Sequence, residues 1–222
     1  MPPKKNNIHG KLLFLLLCMF VAVPAFSHNI NYALEKAPAH KVVSFYFQLG
    51  FKHIIPLGFD HILFVIGLCL LSTKIKVIFW QATAFTVAHS ITLALSMKNI
   101  IVAPSAVVEP IIALSILFVA IENLLFTELK PWRIVIVFLF GLIHGLGFAS
   151  ALNEIGLPPD QFFTSILSFN LGVEAGQIAV IIAMFVLLII PFRNKLFYRK
   201  WIVYPLSILI AIVAAYWTFQ RI

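Results

Sequence analysis

Charge is what this sequence has least of. Only 11% of its 222 residues are Asp, Glu, Lys or Arg, against about a quarter in a soluble globular domain. That scarcity, joined to 62% hydrophobic residues and a mean hydropathy of +1.03, excludes an ordinary soluble fold and places the chain in the membrane class. Cysteine is nearly absent: Cys18 and Cys69 stand alone, which excludes a disulfide framework and a CxxC metal site. Any metal chemistry must therefore rest on histidine and carboxylate. HExxH and GxSxG are missing as well, so two common hydrolase signatures are excluded. The net charge of +8 does not point to nucleic acid. The basic residues occupy short gaps between apolar runs, where they set topology and meet anionic lipid, and no basic face with stacking aromatics is visible.

What is present reads as an all-α, polytopic membrane bundle of about six transmembrane helices behind a cleaved signal peptide. Residues 1–27 carry Lys4, Lys5 and Lys11 ahead of an apolar core, Leu12 to Val23, too short to span comfortably. Cleavage is expected after Ala25 or after Ser27. Residues 28–54 are mixed polar and aromatic and are expected to form a periplasmic or interfacial segment lying on the surface. The transmembrane domain then covers 55–222, with apolar runs at roughly 55–73, 77–97, 104–126, 132–152, 162–190 and 201–220. Each approaches or exceeds the ~20 residues that cross a hydrocarbon core.

Signal cleavage would put the mature N-terminus in the periplasm and fix every later loop. Inside loops then hold Lys74, Lys76, Lys130, Arg133, Arg193, Lys195, Arg199 and Lys200, eight basic residues against five outside (Lys36, Lys41, Lys52, Lys98 and Arg221). The bias has the sense the positive-inside rule requires for a bacterial inner membrane. Trp80, Trp132 and Trp201 each open a run just after an inside loop, as an interfacial belt would. Gly141-x-x-x-Gly145 and Gly172-x-x-x-Gly176 put small residues on one helix face, a packing signature. No internal repeat supports a two-half transporter fold.

The chemistry lies inside the spans. Asp60, Glu109, Glu122 and Glu174 fall within apolar runs, joined by His61, His89 and His144, with His53 just ahead of the first run. An ionisable group at the bilayer centre costs about 2.5–3.5 kcal/mol even on the mildest scale. So many are tolerable only if they bind one another, water or a cation. With the expected topology, Asp60, His61, His89 and Glu109 lie toward the outer face, and His144 and Glu174 near mid-depth. Asn170, Glu174 and Gln177 recur at i, i+4 and i+7, a polar stripe on one helix face. Glu122 lies 13 residues beyond Glu109, about 20 Å along a helix axis. It is expected outside this site, paired with Lys76 or Lys130, or marking an inner exit. Any one histidine is as well explained by a bond to a neighbouring carboxylate. The convergence of several points to a divalent transition metal (Ni, Co, Zn or Cu), because imidazole and carboxylate suit such ions. The expected ligands are His53, Asp60, His61, His89, Glu109, His144 and Glu174, with Asn170 and Gln177 behind them.

The same residues carry a resemblance. The segments His53-Ile-Ile-Pro-Leu-Gly-Phe-Asp60-His61, Phe85-Thr-Val-Ala-His89-Ser, Val108-Glu109-Pro, Glu122-Asn123, Phe140-Gly-Leu-Ile-His144-Gly and Phe169-Asn170-Leu-Gly-Val-Glu174-Ala-Gly-Gln177 are similar, in order, to those of the HupE/UreJ family of bacterial membrane proteins. The hydrogenase-accessory branch has five residues between its histidine and Asp-His. Here six separate His53 from Asp60, so the chain resembles a side branch. The resemblance implies metal handling of the nickel or cobalt permease kind, linked to metalloenzyme maturation.

Three functional readings follow. The first is a divalent-metal permease with its site open to the periplasm. The second is a membrane-embedded metal-dependent hydrolase acting on a lipid or membrane peptide, with Glu174 or Glu109 as general base. The third is a non-catalytic interaction or chaperone protein for a secreted or redox partner. Expected partners are a metal ion, membrane lipid and a secreted or membrane metalloprotein, without nucleic acid.

Overall fold

A computed structural model describes residues 34–193 and 197–222, and among these it is helical with no strand. The expected signal peptide lies outside the described residues. Seven helices are ordered α1 Ala39–Ile54, α2 Phe59–Leu70, α3 Ile75–Met97, α4 Ser105–Leu125, α5 Arg133–Ile155, α6 Phe162–Met184 and α7 Tyr204–Arg221. Helical backbone runs on past α6 through a π-helical turn at Phe185–Ile189 and leads into α7 through another at Arg199–Val203. Five of these helical stretches are long and apolar enough to cross a membrane, and α1 with α2, bent by 68° at their junction, can make a sixth crossing.

That junction differs from the run expected over 55–73. Residues 39–54, expected on the surface, form a helix whose Val42, Tyr46, Gly50 and Ile54 are buried. This i, i+4 stripe lays α1 along α6. Tyr46 donates to the Gly156 carbonyl at 2.7 Å and Gln161 donates to the Ala37 carbonyl at 3.0 Å. Pro56 and Gly58 then interrupt the helix. The 12 residues of α2 reach only about 18 Å, short of the ~30 Å hydrocarbon core. Neither α1 nor α2 alone is a full crossing, and the break between them falls between His53 and Asp60.

Close helix approach is built on glycine. A Cβ at Gly172 would stand on the Phe47 carbonyl and 2.8 Å from the Phe51 nitrogen, and one at Gly50 would stand on the Phe169 carbonyl. So α1 and α6 touch backbone to backbone. Gly141 and Gly145 do the same for α5 against α3, where a Cβ would stand on the Phe85 and His89 carbonyls. The expected small-residue stripes are therefore the seams that bring the histidine-bearing helices together.

The bundle has two unlike ends. Helices α3, α5 and α7 finish at one, the Met97 end, and α4 finishes at the other, the Lys130 end. At the Lys130 end Glu122 pairs with Arg133 at 3.2 Å, both side chains 2% exposed. The sequence pointed to Lys76 or Lys130 for that partner. Instead Lys76 is exposed and the Lys130 ammonium lies over the Phe126 ring, while Arg133, in the first turn of α5, reaches inward. Asn123 Nδ2 donates to the Gly67 carbonyl at 2.8 Å, which ties α2 to the same knot. Arg199 caps α4, with Nη2 donating to the carbonyls of Phe126 at 2.7 Å and Asn123 at 3.3 Å. A guanidinium there satisfies carbonyls that a helix end leaves free and complements its dipole.

Candidate metal centre

The break between α1 and α2 sets the site. His53 stands in the last turn of α1 and Asp60 and His61 in the first turn of α2. His89 reaches them from α3 and His144 from α5. His89 lies eight residues before Met97, about 12 Å below that end of the bundle. The rings of His53 and His61 are 4.7 Å apart, and each is 6.2 Å from His89. Ligand-capable atoms of these three residues lie within 4.8 Å of one another. His144 stacks its ring edge-on to His61 at 5.0 Å. Phe148 lies 4.0 Å from the His53 ring and Phe85 4.9 Å from that of His144, so the cluster is walled by aromatic rings.

The hydrogen bonds sort the nitrogens. Asp60 Oδ1 accepts from the His61 backbone at 2.9 Å and meets His61 Nδ1 at 3.1 Å. An ionised carboxylate only accepts, so Nδ1 carries the proton and Nε2 the lone pair. Asn170 Nδ2 donates to the Ile166 carbonyl at 2.8 Å, which turns its Oδ1 toward His89 Nδ1 at 3.1 Å. An amide oxygen also only accepts, so His89 too is left with a bare Nε2. Nε2 of His53, His61 and His89 are all buried without a hydrogen-bond partner. Buried polar atoms are nearly always satisfied, and two bare imidazole lone pairs beside a third unpartnered imidazole nitrogen, that of His53, are a donor set suited to a transition-metal ion. A carboxylate or carbonyl behind each ligating imidazole is what orients such ligands, and Asp60 and Asn170 stand in that relation to His61 and His89.

A cavity of about 290 Å³ adjoins the cluster, lined by His53, Asp60, His61, Glu109, His144 and Arg221 among others. Glu109 enters it from the second turn of α4 and is itself exposed. Glu174 stands apart from this lining. Its Oε1 accepts from Thr83 Oγ1 at 2.7 Å on the seam between α3 and α6, and Gln177 Oε1 accepts from Thr86 Oγ1 at 3.1 Å. So the polar stripe Asn170–Glu174–Gln177 does face one neighbour, α3, and only its first member meets a histidine.

A family model described as HupE / UreJ protein matches residues 28–221. The chain belongs to the HupE/UreJ family. With its long apolar helices, this HupE/UreJ protein is a multi-pass membrane protein carrying a buried histidine cluster. No curated protein and no solved structure matches it. Three residues escaped the sequence reading. Ser115 Oγ lies 2.9 Å from His144 Nε2, yet in the sequence Ser115 stands only as part of the family-like segment Val108-Glu109-Pro-Ile-Ile-Ala-Leu-Ser115-Ile, with no role marked. Arg221 reads as a topological charge at the end of the last span. Arg133 reads as a loop residue, although Glu122 and Asn123, side by side in the preceding span, needed a buried partner.

Proposed function

We propose that this HupE/UreJ protein is a divalent transition-metal permease of the bacterial inner membrane, with nickel or cobalt as its cargo and its site open to the periplasm. The observation that carries the reading is the meeting of three unpartnered Nε2 atoms, from His53, His61 and His89, about 12 Å below one end of the bundle. Neutral imidazoles bind such ions and exchange them, while Asp60 and Glu109 in the same cavity supply the negative charge that offsets the dehydration of a dication. The eight-to-five distribution of basic residues supports assigning the Met97 end to the periplasm. His144 and Glu109 continue the donor set along the cavity, and Glu122, tied to Arg133, stands on the far side as a closed inner end.

Purified protein in liposomes is expected to carry labelled Ni²⁺ or Co²⁺ inward, with His61→Ala reducing the flux at least tenfold. Tight binding of one ion without flux would sink the permease reading. One observation favours the hydrolase as the alternative: an open cavity beside three imidazoles, with the Glu109 carboxylate in reach of it, resembles a zinc site with a vacant coordination position. That reading requires cleavage of a lipid or membrane peptide that stops when Glu109→Gln is introduced.

A further inference from the structure

His144 differs from its neighbours in which nitrogen is engaged. Its Nε2 lies 2.9 Å from Ser115 Oγ, and its Nδ1 is buried with no partner. Ser115 Oγ is also 2.7 Å from the Ile112 carbonyl. The hydroxyl owns one proton and the carbonyl owns none, so the short contact to Ile112 holds only if Ser115 donates there. The same oxygen then has only lone pairs left for His144, and the contact to Nε2 holds only if the imidazole donates. Both groups are buried, at 1% exposure each. For a neutral imidazole the arrangement has one consistent proton assignment: His144 carries its proton on Nε2 and leaves Nδ1 bare.

We propose that Ser115 is a positioning residue for the metal path: pinned to the Ile112 carbonyl, it holds His144 as the Nε2–H tautomer so that Nδ1 is the donor offered to an ion. His61 and His89 are held the other way, by Asp60 and Asn170. The cluster therefore presents Nε2 atoms from one group and Nδ1 from the ring beside it, and His144 is absent from the group of three whose ligand atoms crowd within 4.8 Å. The division gives an ion two adjacent donor positions, the three-histidine position beside the cavity and one at His144, which lines the cavity with Asp60 and Glu109. Were Ser115 apolar, no neighbouring group would choose between the tautomers of His144, and the ring could turn its N–H toward the cavity, where it would repel a cation. This inference deepens the permease reading in that it takes the metal as cargo, but the proton positions can be read with no metal present.

The test is magic-angle-spinning NMR of the ¹⁵N-histidine-labelled full chain in phosphatidylethanolamine–phosphatidylglycerol bilayers without metal, with His144 assigned by its loss in His144→Gln. The expected result is Nε2–H for His144 and Nδ1–H for His61 and His89. Ser115→Ala should convert His144 to a mixture, and Ser115→Thr, which keeps the hydroxyl, should restore the single form. In Ni²⁺ titrations of the same samples Ser115→Ala should bind about 10–100-fold more weakly and Ser115→Thr close to wild type. Nδ1–H at His144 in the wild type overturns the proposal, even if Ser115→Ala fails to insert. So does a His144 signal that Ser115→Ala leaves unchanged. The expected proton pattern together with tight Ni²⁺ binding and no flux would count against the permease and leave the role of Ser115 standing.

Discussion

At the scale of single residues the molecule holds its charges in two unlike ways. In the histidine cluster, polar atoms face one another unpaired. At the Lys130 end, Glu122 and Arg133 are paired and fully buried. Removing one member of such a pair leaves the other charge buried alone, which costs about 3–5 kcal/mol, whereas replacing both with uncharged groups of similar volume is often neutral. Glu122→Gln alone is therefore expected to lower stability by about that amount, read as an earlier midpoint in an SDS unfolding titration, and Glu122→Gln with Arg133→Met to recover most of it. Equal losses in the single and double variants would mean the pair contributes nothing through its charges. The residue scale is also where the sequence was most legible. Asp60, His61, His89, Glu109 and His144 stand out by falling within apolar runs, with His53 just ahead of the first, and all but His89 line one cavity, with His89 in the three-histidine group. Glu174 stands out in the same way yet faces Thr83. Hydropathy says that a polar group sits in a span; it does not say which neighbour the helix turns it toward.

At the scale of elements, the glycine seams decide how near α1, α3, α5 and α6 approach. Gly172→Ala would drive a methyl into the Phe47 carbonyl and the Phe51 amide, backbone atoms that cannot step aside. Gly147→Ala would meet only the far end of Ile112, 2.7 Å away, and the tip of Val108. The first is expected to lower the aggregation temperature of the purified protein by several degrees and reduce yield. The second should leave both near wild type, so a comparable fall for the two would argue against backbone contact across α1 and α6. The GxxxG stripes were legible because small residues at four-residue spacing leave a face for another helix. The helix α1 was not. Its buried stripe is Val42, Tyr46, Gly50 and Ile54 among exposed polar residues, a pattern as suited to a helix lying on a membrane surface as to one packed on α6. Pro56 and Gly58 were visible as breakers, but the 68° bend they permit depends on what α1 packs against.

At the scale of the whole molecule, the proposed function requires that the Met97 end face the periplasm. Single cysteines at Ile100 and Glu128, both exposed and at opposite ends, report this directly in a Cys18→Ser background, because native Cys69 is buried. A membrane-impermeant maleimide added to intact cells is expected to label Ile100→Cys and to reach Glu128→Cys only after lysis. The reverse pattern would place the histidine cavity on the cytoplasmic side and turn the proposed direction of metal movement around.

Composition and order of residues were enough to determine membrane class, an all-helical fold, the family and three histidines, His53, His61 and His89, that the fold brings together. Each of these depends on local quantities: apolar run length, the cost of a charge in hydrocarbon, and motifs read along the chain. The tertiary structure alone decided that the helix breaks and bends between His53 and Asp60, that Arg133 answers Glu122, that Glu174 bonds Thr83 outside the cavity lining, and which nitrogen of His61, His89 and His144 is engaged. Those outcomes depend on helix rotation and on hydrogen bonds between residues as far apart in sequence as His89 and Asn170. No single run of sequence contains both partners, so only the packed bundle can choose between them.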